Sequence, residues 1–327
     1  MEKIKIAIIG YGNIGKAVEL ATQQTPDIEP VVILTRRSPD DIKPATQGLK
    51  VDTLQEAEKY AEQVDVAVLC GGSATDLPVQ GPMMAAIFNT VDSYDTHALI
   101  PKYYQAVDQA ARKAGNTAVI STGWDPGLFS LMRVIEDSVL PVGTHYTFWG
   151  PGVSQGHSDA VRRVKGVRDA RQYTIPIEQA VEKVRSGSEP GLATRDMHLR
   201  DCYVVAEEGA DKKQIEAEIK NMPYYFDAYD TRVTFISKEE MEKNHSQMPH
   251  GGFVMRGGRT GEGYRHVIEF SLKLESNPAF TASVLLAYAR AAHRLNRDGQ
   301  IGAKTVLDIA PGLLSPRPPE ELRRDML

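Results

Sequence analysis

The chain has 327 residues, 42% of them hydrophobic and 25% charged, which is enough to bury the interiors of two domains and excludes a disordered or fibrous protein. A net charge of −5 with both signs interspersed offers no basic surface for nucleic acid, and the opening apolar run KIAII is too short for a membrane span or a signal sequence, so a cytoplasmic protein is expected. Cys70 and Cys202 lie far apart and the eight histidines form no HExxH or Cys/His spacing, so two reduced structural thiols and no metal centre are expected.

In chain order, KIAII reads as a first strand that runs directly into GYGNIG, Gly10 to Gly15. Gly10 suits the tight turn, Gly12 lets backbone approach a pyrophosphate, and Gly15 lets the following helix pack against the strand. Tyr11, Asn13 and Ile14 complete the turn, and the helix N-terminus presents N–H groups to an anion. A second strand, EPVVILTRR (Glu29 to Arg37), ends roughly 20 residues past the glycines, where a dinucleotide fold reads the ribose. No acid stands there. Thr35, Arg36 and Arg37 supply a hydroxyl and two guanidinium forks suited to a 2′-phosphate, which favours NADP over NAD.

VDTLQEAEKYAEQVDVAVLC then predicts a polar helix and a buried strand over Val64 to Leu69 that stops at CGGSATD. Val91 opens a short strand ending in VDSYDTH, Pro101 to Gly115 is a helix with proline at its start and glycine at its stop, and TAVISTGWDPG is a further strand and loop. This alternation argues for an α/β fold with a doubly wound parallel sheet, with ligands outside the carboxyl ends of its strands. CGGSATD, VDSYDTH and STGWDPG all fall at those ends and should converge. From about Gly150 the texture changes to strands RQYTIPI, RDCYVVAEE and RVTFIS between polar segments, a second, α+β domain. NPAFTASVLLAYARAAHRLNRDG is an amphipathic helix ending near Gly299, and the proline-rich tail is expected on the surface. The expected division is a dinucleotide-binding domain over 1–122, a second domain over 123–280, and a segment 281–327 that packs back on the first.

Oxidising a carbon that bears an amine needs a group to orient the nitrogen, a proton acceptor and an anchor for the rest of the molecule. Asp92, Asp95 and Asp125 are carboxylates at strand ends; a single Asp there usually caps a loop, whereas Asp95 and Asp125 together, beside Trp124, suit an ammonium. FWGPGVSQGHSDA, Phe148 to Ala160, reads as a ligand-facing loop whose N–H groups receive a carboxylate, or else as a flexible turn. His157 is left unassigned. No motif rule selects Thr174 or His250, while Arg200 beside the strand CYVVA suits a bidentate carboxylate clamp.

GYGNIG, the RR pair, GSATD, VDSYDTH, STGWDPG, FWGPGVSQGHSDA, MPHGG and NPAFTAS together resemble the meso-diaminopimelate D-dehydrogenase family over nearly the whole chain. The resemblance implies a Rossmann-type domain and reversible, NADP-dependent oxidative deamination of the D-centre of meso-2,6-diaminopimelate to L-2-amino-6-oxopimelate and ammonia, in lysine biosynthesis. It also implies that Gly72, Ser73, Ala74, Thr75 and Asp76 join the cofactor site, and that Asp95 and Asp125 orient the reacting amine beside Trp124. By the same resemblance Ser154, Gln155 and Gly156 line the D-centre, Thr174, Arg200, His250 and Asn277 anchor the distal L-end, and Trp149 contacts substrate. A homodimer through the second domain is implied, with a hexamer as the other assembly, and neither a membrane nor a nucleic acid is a partner. Two other readings of the same residues are an NADP-dependent imine or semialdehyde reductase, or a broader D-amino-acid dehydrogenase, on this scaffold; a third, of a different class, is a non-catalytic NADPH sensor.

Overall fold

A computed structural model describes residues 3–327. The chain divides into two compact units, one built from the described residues up to Leu131 together with Pro278–Leu327, the other from Met132–Asn277.

The first unit contains β1 (Ile4–Ile9), α1 (Asn13–Thr22), β2 (Ile28–Thr35), β3 (Lys50–Thr53), β4 (Val66–Leu69), α2 (Leu77–Ala85), β5 (Asn89–Asp92), α3 (Ile100–Ala114) and β6 (Thr117–Val119). They form a seven-stranded sheet in the order β3-β2-β1-β4-β5-β6 with Gly302–Lys304 beyond β6, every neighbouring pair parallel. Strands covered on both faces read as unbroken apolar runs, and VAVL in β4 is wholly buried. The order reverses between β1 and β4, the switch point at which such sheets bind dinucleotides. α3 buries a stripe of Tyr103, Val107 and Ala111 at four-residue spacing, carries Pro101 in its first turn and is capped at its end by Gly115 in the left-handed conformation.

Three differences from the sequence reading are local. The predicted polar helix after β2 begins instead as the edge strand β3 and continues as a 3-10 turn, Leu54–Tyr60, because a four-residue, half-buried strand shows no usable periodicity. Gly302–Lys304 adds a seventh strand that three residues of sequence do not announce. The tail after it is not a surface appendage: Val306 and Ile309 are buried in the same core as Ile6, Ile8 and Val66. The 21-residue helix Asn277–Arg297 delivers Leu285, Leu286, Tyr288, Ala289 and Ala292 to that core. Its Arg290 is buried and grips both carboxylate oxygens of Asp27, at 2.5 and 2.8 Å.

In the second unit, after α4 (Leu128–Val139), come β7 (Val142–Trp149), β8 (Gly152–Val153), α5 (Gln155–Arg162), β9 (Val167–Pro176), β10 (His198–Ala206), β11 (Asp230–Phe235), β12 (His250–Arg259) and β13 (Arg265–Leu274). They make a four-stranded sheet, β11-β10-β9-β8, and a three-stranded antiparallel sheet, β13-β12-β7. β7, β12 and β13 are absent from the sequence reading; β12, HGGFVMRGGR, is rich in glycine, a residue depleted in strands. FWGPGVSQGHSDA is not one loop but the end of β7, then β8, then α5, and Phe148 within it is fully buried. Among the described residues no helix is long and apolar enough to cross a membrane, and both cysteines are free and buried.

Candidate functional site

The turn after β1 has the geometry of a phosphate cradle. A Cβ on Gly15 would stand 2.1 Å from the Gly10 carbonyl oxygen, so this glycine is required by the close seating of α1 on β1. Gly12 differs, since a Cβ there would meet no atom of the protein within 4 Å; space is kept above the turn that the fold itself does not use. Gly12 is also the N-cap of α1, gives no side-chain cap, and is followed by no acid in the first turn. A helix leaves its first N–H groups unsatisfied, and this end is open to an anion. The Tyr11 side chain, buried with its hydroxyl on the Glu19 carboxylate, offers the turn only backbone.

At the end of β2, Arg37 Nη2 donates to the Tyr11 carbonyl oxygen (2.6 Å), and its own N–H is received by Thr35 Oγ1 (3.2 Å). Arg36, largely exposed, pairs with Asp76 (2.7 Å). Asp76 also accepts from Gly72 N–H (2.9 Å), closing the turn that contains Ser73, Ala74 and Thr75. Two arginines and an N-terminal helix turn therefore lie at the carboxyl ends of β1 and β2 of one sheet, a donor set that fits a dinucleotide bearing an extra phosphate.

The loops after β4, β5 and β6 are tied to one another. Ser73 Oγ accepts from Asp95 N–H (2.7 Å) and lies 3.3 Å from Thr96 Oγ1. Asp92, one of the sequence candidates, is fully buried and accepts from Tyr94 N–H (2.9 Å), Ser121 N–H (3.0 Å) and Tyr103 Oη (2.7 Å). Burial pushes its carboxyl up to about 6 against those donors. Its place is structural: it pins the loops that carry Asp95 and Asp125. Asp95 is exposed, Asp125 is half-buried, and Trp124 is buried edge-on against Phe129 at 5.3 Å.

In the second unit the antiparallel register sets Thr174 opposite Arg200 and Gly152 opposite Thr174. A Cβ on Gly152 would lie 2.4 Å from the His250 Cα, so this glycine lets β8 touch the start of β12. Period-two alternation turns Gln172 and Thr174 of β9, and His198 and Arg200 of β10, to the buried side. Arg200 is 5% exposed; its Nη1 donates to Thr174 Oγ1, its guanidinium lies 3.9 Å from the Tyr229 ring centroid, and its Nε has no partner. Among the described residues it forms no ion pair with a carboxylate. A buried cation without a counter-ion is costly, and such a place favours an anion. Thr174 Oγ1 also accepts from Gln172 Nε2 (3.4 Å), leaving its own hydrogen for a further acceptor.

Ser154 precedes α5 without capping it; its hydroxyl bonds His157 Nδ1 (2.7 Å) instead, and no acid occupies the first turn, so the N–H groups around exposed Gln155 and Gly156 face outward. Gln155 Nε2 reaches Met248 Sδ (3.3 Å), and Asn277 N–H donates to the Met248 carbonyl oxygen (3.0 Å), which brings these two distant positions to one methionine. His250 Nδ1 accepts from Gly251 N–H (2.8 Å). Burial, and then the charge of Arg200, push the His157 imidazole down to about 3 and that of His198 to about 4, so both are neutral. Sequence reasoning missed Gln172, His198 and Tyr229, because no spacing relates them; only the alternation within β9 and β10 held a signal. The structure gathers Thr174, Arg200, Gly152 and His250 in one place and, within the other unit, the glycine turn, the arginines and the Asp76 turn.

The family model for the diaminopimelic acid dehydrogenase C-terminal domain matches residues 123–276, and that for coenzyme F420-dependent NADP oxidoreductases matches residues 5–73. The meso-diaminopimelate D-dehydrogenase of Ureibacillus thermosphaericus is 60% identical over 327 residues, covering 100% of both chains. A crystal structure of a substituted meso-diaminopimelate dehydrogenase of Clostridium tetani E88 with DAP superposes with a TM-score of 0.95 at 53% identity, over 99% of this chain and 100% of that one. An engineered D-amino acid dehydrogenase bound to NADP+ superposes with a TM-score of 0.87 at 45% identity, over 99% and 100%. With full-length identity at this level, an open phosphate cradle in one unit and a buried unpaired guanidinium in the other, the chain belongs to the meso-diaminopimelate D-dehydrogenase family.

Proposed function

We propose that this chain catalyses the reversible NADP-dependent oxidative deamination of the D-centre of meso-2,6-diaminopimelate, giving L-2-amino-6-oxopimelate and ammonia. The observation that carries the reading is Arg200: a guanidinium 5% exposed, with Thr174 and an aromatic ring around it and, among the described residues, no acid to neutralise it. A substrate with two identical amino-acid heads is oxidised at one only if the other is held, and a buried clamp for the far carboxylate does this. Arg200 and the Thr174 hydroxyl hold the distal L-carboxylate, with His250 and Asn277 at the same end. Ser154, Gln155 and Gly156 receive the carboxylate of the reacting D-centre, and Trp149 packs on the substrate chain. Asp95 and Asp125 orient the reacting amine and draw off its proton beside Trp124.

The glycine turn and α1 receive the pyrophosphate, Thr35, Arg36 and Arg37 the 2′-phosphate, and the Gly72 to Asp76 turn the remainder of the nucleotide. NADP held there would supply the hydride acceptor for the D-carbon. The protein acts as a cytoplasmic homodimer assembled through its second unit.

The test is the absorbance change at the nicotinamide band of purified protein supplied with NADP and meso-diaminopimelate, with the L,L isomer and D-alanine as controls. Turnover of the meso compound alone is the expected result. Equal turnover of D-alanine makes the enzyme a broad D-amino-acid dehydrogenase, and silence on all three removes the reading.

A further inference from the structure

The proposed contact residues of the second unit leave one buried polar group unused. His198 opens β10, two positions before Arg200 on the same buried face, and is 2% exposed. Its Nε2 accepts the backbone N–H of Trp149 at 2.9 Å, and its ring stacks on the Trp149 indole at a centroid distance of 5.4 Å and an interplanar angle of 27°. Phe148 closes over it from the preceding position at 6.0 Å. Trp149 is the last residue of β7 and is 37% exposed, with one face of its indole on the imidazole. Because Nε2 accepts, the neutral ring carries its hydrogen on Nδ1, and both the tautomer and the orientation of His198 are defined by this contact.

The geometry points to His198 as a positioning residue that holds Trp149, by one hydrogen bond and one stacked face, in the place from which the indole packs on the substrate. The inference rests on the reading of Trp149 as a substrate contact. β10 then serves the site twice: Arg200 would touch the substrate itself, while His198 acts through Trp149. The segment that Trp149 opens continues through Gly152, paired with Thr174, to Ser154, so a shift of its first residue is passed directly to the residues that line the D-centre. One other charged group bears on the imidazole: Arg200 lies on the same strand face, while Thr174 and Gln172 of β9 are uncharged, and among the described residues no acid competes for it.

His198→Phe keeps a ring for stacking and removes the acceptor; His198→Gln places an amide oxygen near the former Nε2; His198→Asn is polar but too short to reach. His198→Phe and His198→Asn are expected to raise KM for meso-diaminopimelate roughly tenfold, the weight of one buried hydrogen bond. KM for NADP and kcat should stay within about twofold, and His198→Gln should recover most of the loss. In a Trp124→Phe background, where Trp149 is the sole tryptophan, its emission should shift to the red in the Phe and Asn variants and return in the Gln variant. Unchanged emission and KM in both the Phe and Asn variants overturn the proposal, as does a Gln variant as impaired as the other two. Trp149→Leu separates this from the functional reading: if it leaves KM for meso-diaminopimelate untouched, Trp149 is no substrate contact, whatever the emission of the His198 variants shows.

Discussion

In the first unit the residues proposed to hold the cofactor cluster in sequence, six of them in the turn after β1 and the start of α1 and three at the end of β2, and each cluster is shaped by its own local geometry. In the second unit the buried polar face is assembled from Gln172 and Thr174 on β9, His198 and Arg200 on β10, and the start of β12 at His250, none of them near another in sequence except within a strand. A turn that approaches a pyrophosphate demands glycine at set positions whatever surrounds it, so it is written locally. A clamp for one end of a small molecule demands only that certain side chains face one another, which strand register can satisfy from any part of the chain.

The largest expected effect tests the register-built site. Arg200→Met should raise KM for meso-diaminopimelate by roughly 100-fold, the loss of about two charge-assisted hydrogen bonds, with little change in turnover of a small D-amino acid. Removing a buried, unpaired cation should also hold or raise the melting temperature. An equal loss on D-alanine would break the clamp assignment, and a lower melting temperature would show that Arg200 is part of the framework rather than kept for a ligand.

The next prediction sharpens the local code by separating two glycines of one turn. Gly15→Ala forces a methyl to 2.1 Å from the Gly10 carbonyl and should destabilise the unit by about 1–3 kcal/mol, read as a lower melting temperature. Gly12→Ala meets no protein atom within 4 Å, so its melting temperature should hold while Kd for NADP rises roughly tenfold, as expected if the space is kept for phosphate. Unchanged NADP affinity in Gly12→Ala would mean the pyrophosphate lies elsewhere.

The smallest effect concerns a buried acid that neither site uses. Glu136 on α4 is fully buried, both its carboxyl oxygens lack a hydrogen-bond partner, and His145 Nδ1 is 3.5 Å away. Burial pushes its carboxyl up to about 7, against the nearby charges of Arg133 and Arg256. The folded state thus favours the protonated acid over the unfolded chain's value of 4.5, so its contribution is full below about 4.5 and lost as pH rises through about 7. Glu136→Gln, neutral at every pH, should flatten the fall in stability over that window and gain about 1–2 kcal/mol at pH 8 by denaturant unfolding. Parallel curves for the two proteins would place the ionised carboxylate in a better-solvated site than its burial implies.

Much of the fold was legible because its determinants are short-range. β1, β2, β4 and α3 announce themselves by apolar runs, a proline at the first turn and a glycine at the stop. β3 and Gly302–Lys304 were not, since three or four residues hold no period and become strands only because a neighbour offers a free edge. β12 was hidden by its glycines, which tertiary crowding rather than strand propensity selects.

The sequence by itself determined the alternating parallel sheet, the phosphate turn and the preference for NADP, because those follow from chain stiffness, glycine sterics and the charge at one strand end. Only the tertiary structure decided that Asp92 is a buried pin and not a site acid, that Tyr11 faces the core, and that His198 lies under Trp149. It also decided that, among the described residues, no carboxylate neutralises Arg200, for a charge points to a ligand only once its burial and its neighbours are known.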